Sequence, residues 1–175
     1  ITLRLFNSTS QVQSNTSSTS PLYVNYSGLV DGVYYLNATV NDSANNVNNT
    51  STRIVTIDTS VPSLSITSPS SGANLSVSTI SILGNASDTN NGSVVINDTR
   101  FGTNLGTYGI WNFTNSSIGE GTYSVLITAN DSAGNTNTST RTFTIDRTLP
   151  ILNSLNVSPT KGDIGTIFNI SANIS

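Results

Sequence analysis

The chain has 175 residues and a formal net charge of −3; 35% of the residues are hydrophobic and only 9% are charged, where roughly a quarter is ordinary. One lysine (Lys161) and five scattered arginines make no basic face for nucleic acid, and no apolar stretch reaches the roughly 18 residues of a membrane-spanning helix. With no histidine and no cysteine, the usual acid–base and nucleophilic constellations and a disulfide framework are excluded.

The first pattern in chain order is a strand-like run, Ile1-Thr2-Leu3-Arg4-Leu5, so the chain reads as an interior or mature portion of something longer, without a leader. Asp31-Gly32-Val33-Tyr34 opens a run in which Tyr34, Leu36, Ala38 and Val40 recur with period two. A polar turn follows at Asn41-Asp42-Ser43-Ala44-Asn45, then Arg53-Ile54-Val55-Thr56-Ile57-Asp58 and a linker at 59–62. Beyond the turn Ser70-Ser71-Gly72, Ile80, Ile82, Gly84 and Ala86 alternate with more polar neighbours up to the turn Asn90-Asn91-Gly92. Trp111 and Phe113 alternate along a strand and read as core. Gly119-Glu120-Gly121 leads into Tyr123, Val125, Ile127 and Ala129, closed by Ser132-Ala133-Gly134-Asn135. After Arg141-Thr142-Phe143-Thr144-Ile145-Asp146 and a second linker at 147–150, Lys161 falls in a turn and Phe168, Ile170, Ala172 and Ile174 alternate to the end. Period two over short runs with polar turns between them predicts strands half-buried against a second sheet, and no segment has a helical period.

These runs repeat. Arg53 to Asp58 returns as Arg141 to Asp146, and Pro62 as Pro150, at a shift of 88; Asp31-Gly32-Val33-Tyr34 returns as Glu120-Gly121-Thr122-Tyr123, and the Asp42 turn as the Asp131 turn, at a shift of 89. A loop of variable length accounts for the one-residue slip. The predicted fold class is therefore all-β, with tandem sandwiches of about 88 residues each.

The run Glu120-Gly121-Thr122-Tyr123, the turn Asp131-Ser132-Ala133-Gly134-Asn135 and the strand ending in Asp146-Arg147-Thr148-Leu149-Pro150 resemble prokaryotic immunoglobulin-like (Big-type) repeats. The first repeat matches with Asn45 in place of the turn glycine. The resemblance implies immunoglobulin-like sandwiches, and it puts Tyr34 and Tyr123 at a tyrosine corner, each hydroxyl tied back to nearby backbone. Such arrays serve adhesins, surface-layer proteins and filaments alike, so fold alone does not choose among them.

The linkers divide the chain into 1–58, a sandwich lacking its first strands; 62–146, a complete sandwich; and 150–175, the first two strands of a further one. Two explanations are open. A longer array is divided at an arbitrary point, so that adjacent repeats of the same chain complete each other, or the tail strands of one subunit complete the head of the next by donor-strand complementation in a linear homopolymer.

The strongest chemical signal is the sequon. Ser plus Thr number 55 and Asn 24, and eighteen of those asparagines open an Asn-x-Ser/Thr triplet, where composition alone gives roughly seven or eight. They are Asn7, Asn15, Asn25, Asn37, Asn41, Asn48, Asn49, Asn74, Asn85, Asn91, Asn97, Asn112, Asn115, Asn130, Asn137, Asn156, Asn169 and Asn173. Asn37, Asn41, Asn85, Asn130, Asn169 and Asn173 fall on the outward side of their strands, and Asn7, Asn91, Asn97, Asn115 and Asn137 in or beside turns. N-linked glycans would supply the hydration that charge does not. This density resembles archaeal surface threads and surface-layer coats.

Catalysis has little to work with: Glu120 is the only glutamate and sits in a turn. Asp42, Asp58, Asp131 and Asp146 recur at turns and linkers, where turn capping is preferred to a metal site because carboxylates are sparse. Lys161 alone is poor evidence for an isopeptide crosslink. The expectation is a non-enzymatic, extracellular structural subunit or repeat of a filament or cell-surface coat, with copies of itself and glycans as partners and no cofactor. The alternative is the stalk of a large adhesin or surface-layer protein, and then a carbohydrate-binding accessory module.

Overall fold

A computed structural model of the chain describes residues 1–101, 105–167 and 169–174. Its strands follow the period-two runs. β1 (Thr2–Phe6), β2 (Gln11–Thr16), β3 (Gly32–Asn41), β4 (Val47–Asn49) and β5 (Arg53–Ile57) make one antiparallel sheet in the order β2-β1-β3-β4, with β5 also on β3. Leu5 and Leu36 are opposed across β1 and β3, and Leu5 and Tyr34 are buried.

Eight strands build the next unit: β6 (Ser63–Ser68), β7 (Ala73–Leu75), β8 (Ile80–Ser87), β9 (Ser93–Ile96), β10 (Leu105–Thr107), β11 (Gly109–Asn115), β12 (Gly121–Asn130) and β13 (Thr136–Ile145). They form a sandwich of two sheets, β10-β9-β12-β13-β7 and β11-β8-β6, in which β7 runs parallel to β13. The alternation read from the sequence sets the core. Ile80, Ile82 and Ala86 of β8 face Val125, Ile127 and Ala129 of β12, with Trp111, Phe113 and Phe143 filling the centre, all buried. Each large side chain so buried stabilises the fold by roughly 1.5–3 kcal/mol before entropy is counted. Trp111 lies opposite Gly84, where a Cβ would stand 2.1 Å from both the indole Cζ2 and the Ser65 carbonyl oxygen, so only glycine fits.

β14 (Leu152–Ser158) and β15 (Asn169–Ile174) form a separate antiparallel hairpin. Phe168 of the expected alternation lies outside the described residues. The chain is all-β, as its periodicity predicts.

Candidate functional site

Three devices recur in both units at the repeat spacing. The Tyr34 hydroxyl donates to the Val30 carbonyl and the Tyr123 hydroxyl to the Gly119 carbonyl, each at 2.9 Å, which is the corner geometry that the resemblance to Big-type repeats implies. In the turns after β3 and β12 a carboxylate gathers the backbone. Asp131 Oδ1 accepts from the amides of Ala133, Gly134 and Asn135 at 2.7–2.9 Å, and Asp42 Oδ1 from those of Ala44 and Asn46 at 2.8 and 2.9 Å. Gly134 and Asn45 sit at the same point with φ of 98° and 65°; asparagine tolerates this left-handed region, so the departure from the family pattern leaves the turn intact. The hydrogen bonds from the Asn46 side chain and amide hold the Asp42 carboxyl below its ordinary pKa. Burial raises that of Asp131, but the hydrogen bonds from Asn135, Gly134 and Ala133 outweigh it and the net shift is downward.

The third device fixes the linkers. Asp31 accepts from the amide and hydroxyl of Thr59 at 3.1 and 2.9 Å and from the Ser60 hydroxyl at 3.0 Å. Glu120 accepts from the Arg147 amide at 2.9 Å and the Thr148 hydroxyl at 3.4 Å, with the Arg147 Nε at 3.8 Å. The acid of the Asp/Glu-Gly-x-Tyr motif thus holds the segment that leaves its own unit, a role beyond the turn position read from the sequence.

The first linker is also seated on the complete sandwich. The Asn90 side-chain amide donates to Asp58 Oδ2 at 2.8 Å, that of Asn135 to the Asp58 carbonyl at 3.1 Å, and that of Asn137 to the carbonyl of the buried Pro62 at 2.9 Å. This brings Asp58, Asp88 and Asp131 together, with one oxygen of each lying within 4.8 Å of the others. Burial, then Asp88, Asp131 and Asp58, raise the pKa of the neighbouring Tyr108 phenol, so it stays neutral. The three carboxylates carry six oxygens, the lower end of the six to eight that calcium takes, and the asparagine amides already engage Asp58 and Asp131. The sequence reading places Asp58 and Asp131 at turns and passes over Asp88, which lies outside the repeated blocks and joins the others only through the fold.

The apolar face of the first sheet is covered at Leu5 and Tyr34 and more open at Val40 and Val55. Val40 and Val55 are 46% and 44% exposed, whereas their counterparts in the complete sandwich, Ala129 and Phe143, are 0% and 1%. Residues 21–27 cross beside it with Leu22, Val24 and Tyr26 half-buried and form no strand. The hairpin is more open still: Leu155, Ile170 and Ile174 are each more than 60% exposed.

Twelve of the eighteen sequon asparagines are exposed, which leaves room for a glycan at most of them. Asn7, Asn15, Asn37, Asn130 and Asn137 are half-buried. Asn115 is only 9% exposed, its Oδ1 bound by the Ser117 amide, and the Asn137 nitrogen that would carry a sugar is spent on Pro62.

No helix among the described residues is long and apolar enough to cross a membrane. Trp111 is 2% exposed and packs on Phe113 with ring centroids 5.5 Å apart, which makes it core, as expected. Comparison with curated proteins finds no match. Among solved structures, the Clostridium thermocellum CbhA fibronectin(III)-like modules are similar over 83% of this chain and 77% of theirs, at 16% identity and a TM-score of 0.46. The bacterial Ig-like domain family matches residues 71–147, most of the complete sandwich, and the all-β architecture of that unit is the immunoglobulin-like sandwich.

Proposed function

We propose that the chain is an extracellular structural module, N-glycosylated and joined end to end with like units in a filament or cell-surface coat. One observation carries this reading: the same acid anchors the exit linker of each unit, Asp31 on Thr59 and Ser60, and Glu120 on Arg147 and Thr148. A linker held by its own domain gives successive units a fixed relation, which a stiff, force-transmitting rod needs and an enzyme does not.

The exposed sequons support the second part. Sugars on Asn41, Asn85, Asn97 and Asn112 would project from strand faces and turns, hydrating a surface with few charges and guarding strand edges from wrong pairing. Glycopeptide mass spectrometry of native surface material tests it. Glycans are expected at these exposed positions and absent from Asn115; bare peptides throughout would remove the glycosylated reading. Immunogold labelling of intact cells tests location, and label confined to the cell interior would overturn it. The subunit mass on a denaturing gel separates a filament of short subunits from the stalk of one long polypeptide.

A further inference from the structure

We propose that Asn91 converts spontaneously to isoaspartate through the Gly92 amide, and that this conversion releases the Asn90 contacts that seat the first linker on the complete sandwich. The step needs only water, so it goes beyond the structural reading and does not depend on it.

Asn91-Gly92 is the only Asn-Gly dipeptide in the chain. Asn91 is exposed and lies outside any strand. Neither its carboxamide nor the Gly92 amide hydrogen-bonds to another group among the described residues. The Gly92 nitrogen is therefore free to approach Asn91 Cγ, and glycine puts no side chain in its way. The fold also keeps the dipeptide as it is. A Cβ at Gly92 would stand 1.9 Å from the Asn130 carbonyl oxygen and 2.8 Å from the carbonyl carbons of Asn130 and Asp131, all of them main chain. A bulkier residue, which would hinder the reaction, does not fit there.

In the first step the Gly92 nitrogen attacks Asn91 Cγ, gives up its proton to solvent base and closes a succinimide ring, while the carboxamide nitrogen leaves as ammonia. Water then opens the ring. Attack at Cγ gives aspartate. Attack at the main-chain carbonyl carbon of residue 91 breaks its bond to the Gly92 nitrogen and leaves a free α-carboxylate, with the chain now running through Cβ and Cγ. That product is isoaspartate, and it lengthens the main chain by one methylene.

The extra carbon must displace one neighbour or the other. Downstream, Gly92 lies against the Asn130 main chain, and β9 starts at Ser93, paired with Asn130 and anchored by the buried Val94 and Ile96. Upstream, Asn90 is held by three single hydrogen bonds. Its amide donates to Asp88 Oδ1 at 2.9 Å, its carbonyl accepts from the Ser132 amide at 3.1 Å, and its side chain donates to Asp58 Oδ2 at 2.8 Å. A strand with buried side chains resists displacement more than a turn held by polar contacts alone, so the shift falls on Asn90. Ser132 and Asp58 then lose their partner, and the new carboxylate lies one residue from the Asp58 and Asp88 contacts, where like charge opposes their return.

The full chain, made without glycans and held in mildly alkaline buffer, tests this by peptide mass spectrometry and amide hydrogen exchange. The mass shift of amide-to-acid conversion should appear at the Asn91 peptide ahead of every other asparagine peptide, with isoaspartate among the products. The Ser132 amide should lose its protection in step with it, while the Thr59 amide, held by Asp31, keeps its own. Asn91→Gln should stay intact and protected over the same period. Asn91→Asp, which adds the charge without the methylene, should keep Ser132 protected. The proposal is overturned by an Asn91 peptide that lags the others, by isoaspartate at 91 with Ser132 still protected, or by an Asn91→Asp chain that lacks that protection from the start. Glycan-free protein is used throughout, so these outcomes are separate from those that test surface location and glycosylation.

Discussion

Tyr123 shows how much one hydrogen bond does in this fold. Its ring stacks on Phe143 with centroids 5.3 Å apart, the Arg100 guanidinium lies over the ring at 4.6 Å from its centroid, and its hydroxyl ties the β11–β12 connection to the strand. Tyr123→Phe keeps the rings and removes the tie, so it should destabilise the chain by about 1 kcal/mol in denaturant unfolding. A loss near zero would mean that the packed ring alone fixes the corner. Asp131 acts through charge. Its folded pKa lies below the ordinary 3.8, so its contribution is fully present above that value and is lost as pH falls through the lower folded one. Asp31 and Asp42 shift in the same direction for the same reason. Melting temperature should therefore hold steady from about pH 8 to 5 and drop below about pH 4. Asp131→Asn should weaken that acid dependence as well as the neutral stability.

At the scale of elements, strands were readable wherever one side chain in two had to be apolar. β8 and β12 follow their alternation residue by residue, because both pack on a second layer. Segment 21–27 shows the limit: its alternation is present but no strand forms, since strand identity depends on a hydrogen-bonded neighbour and not on pattern alone. In the sequence Gly84 is one small member of an alternating run; that it is obligatory follows from the indole carbon and the Ser65 carbonyl oxygen, each 2.1 Å from where a Cβ would stand. Gly84→Ala should cost at least about 2 kcal/mol and broaden the tertiary signal of Trp111. The linkers give a further test. Asp31→Ala should speed hydrogen exchange at the Thr59 amide, and Glu120→Ala at that of Arg147, each without changing exchange in β12. Equal rates before and after would mean that the linkers are held by something else.

Over the whole molecule, the low charge has a physical consequence. With 9% charged residues and few ion pairs among the described residues, stability should be nearly independent of salt between about 0.05 and 0.5 M, beyond the general strengthening of apolar burial. A steep salt dependence of the melting temperature would point to the acidic junction at Asp58, Asp88 and Asp131 as a larger electrostatic term than its hydrogen bonds suggest.

By itself the sequence determined the all-β class, the repeat at 88 to 89 residues, the tyrosine and aspartate devices of each unit and the positions of the sequons. These are legible because each depends on neighbours a few residues away, on a period of two, or on the chain's direct self-similarity. Only the tertiary structure decided that the motif acids Asp31 and Glu120 hold the linkers, that Asp88 joins Asp58 and Asp131, and that Asn115 is buried while Asn85 is not. Each of these contacts joins residues far apart in the chain, or sets which side of a strand is covered. Packing two layers together settles both, and no local pattern records it.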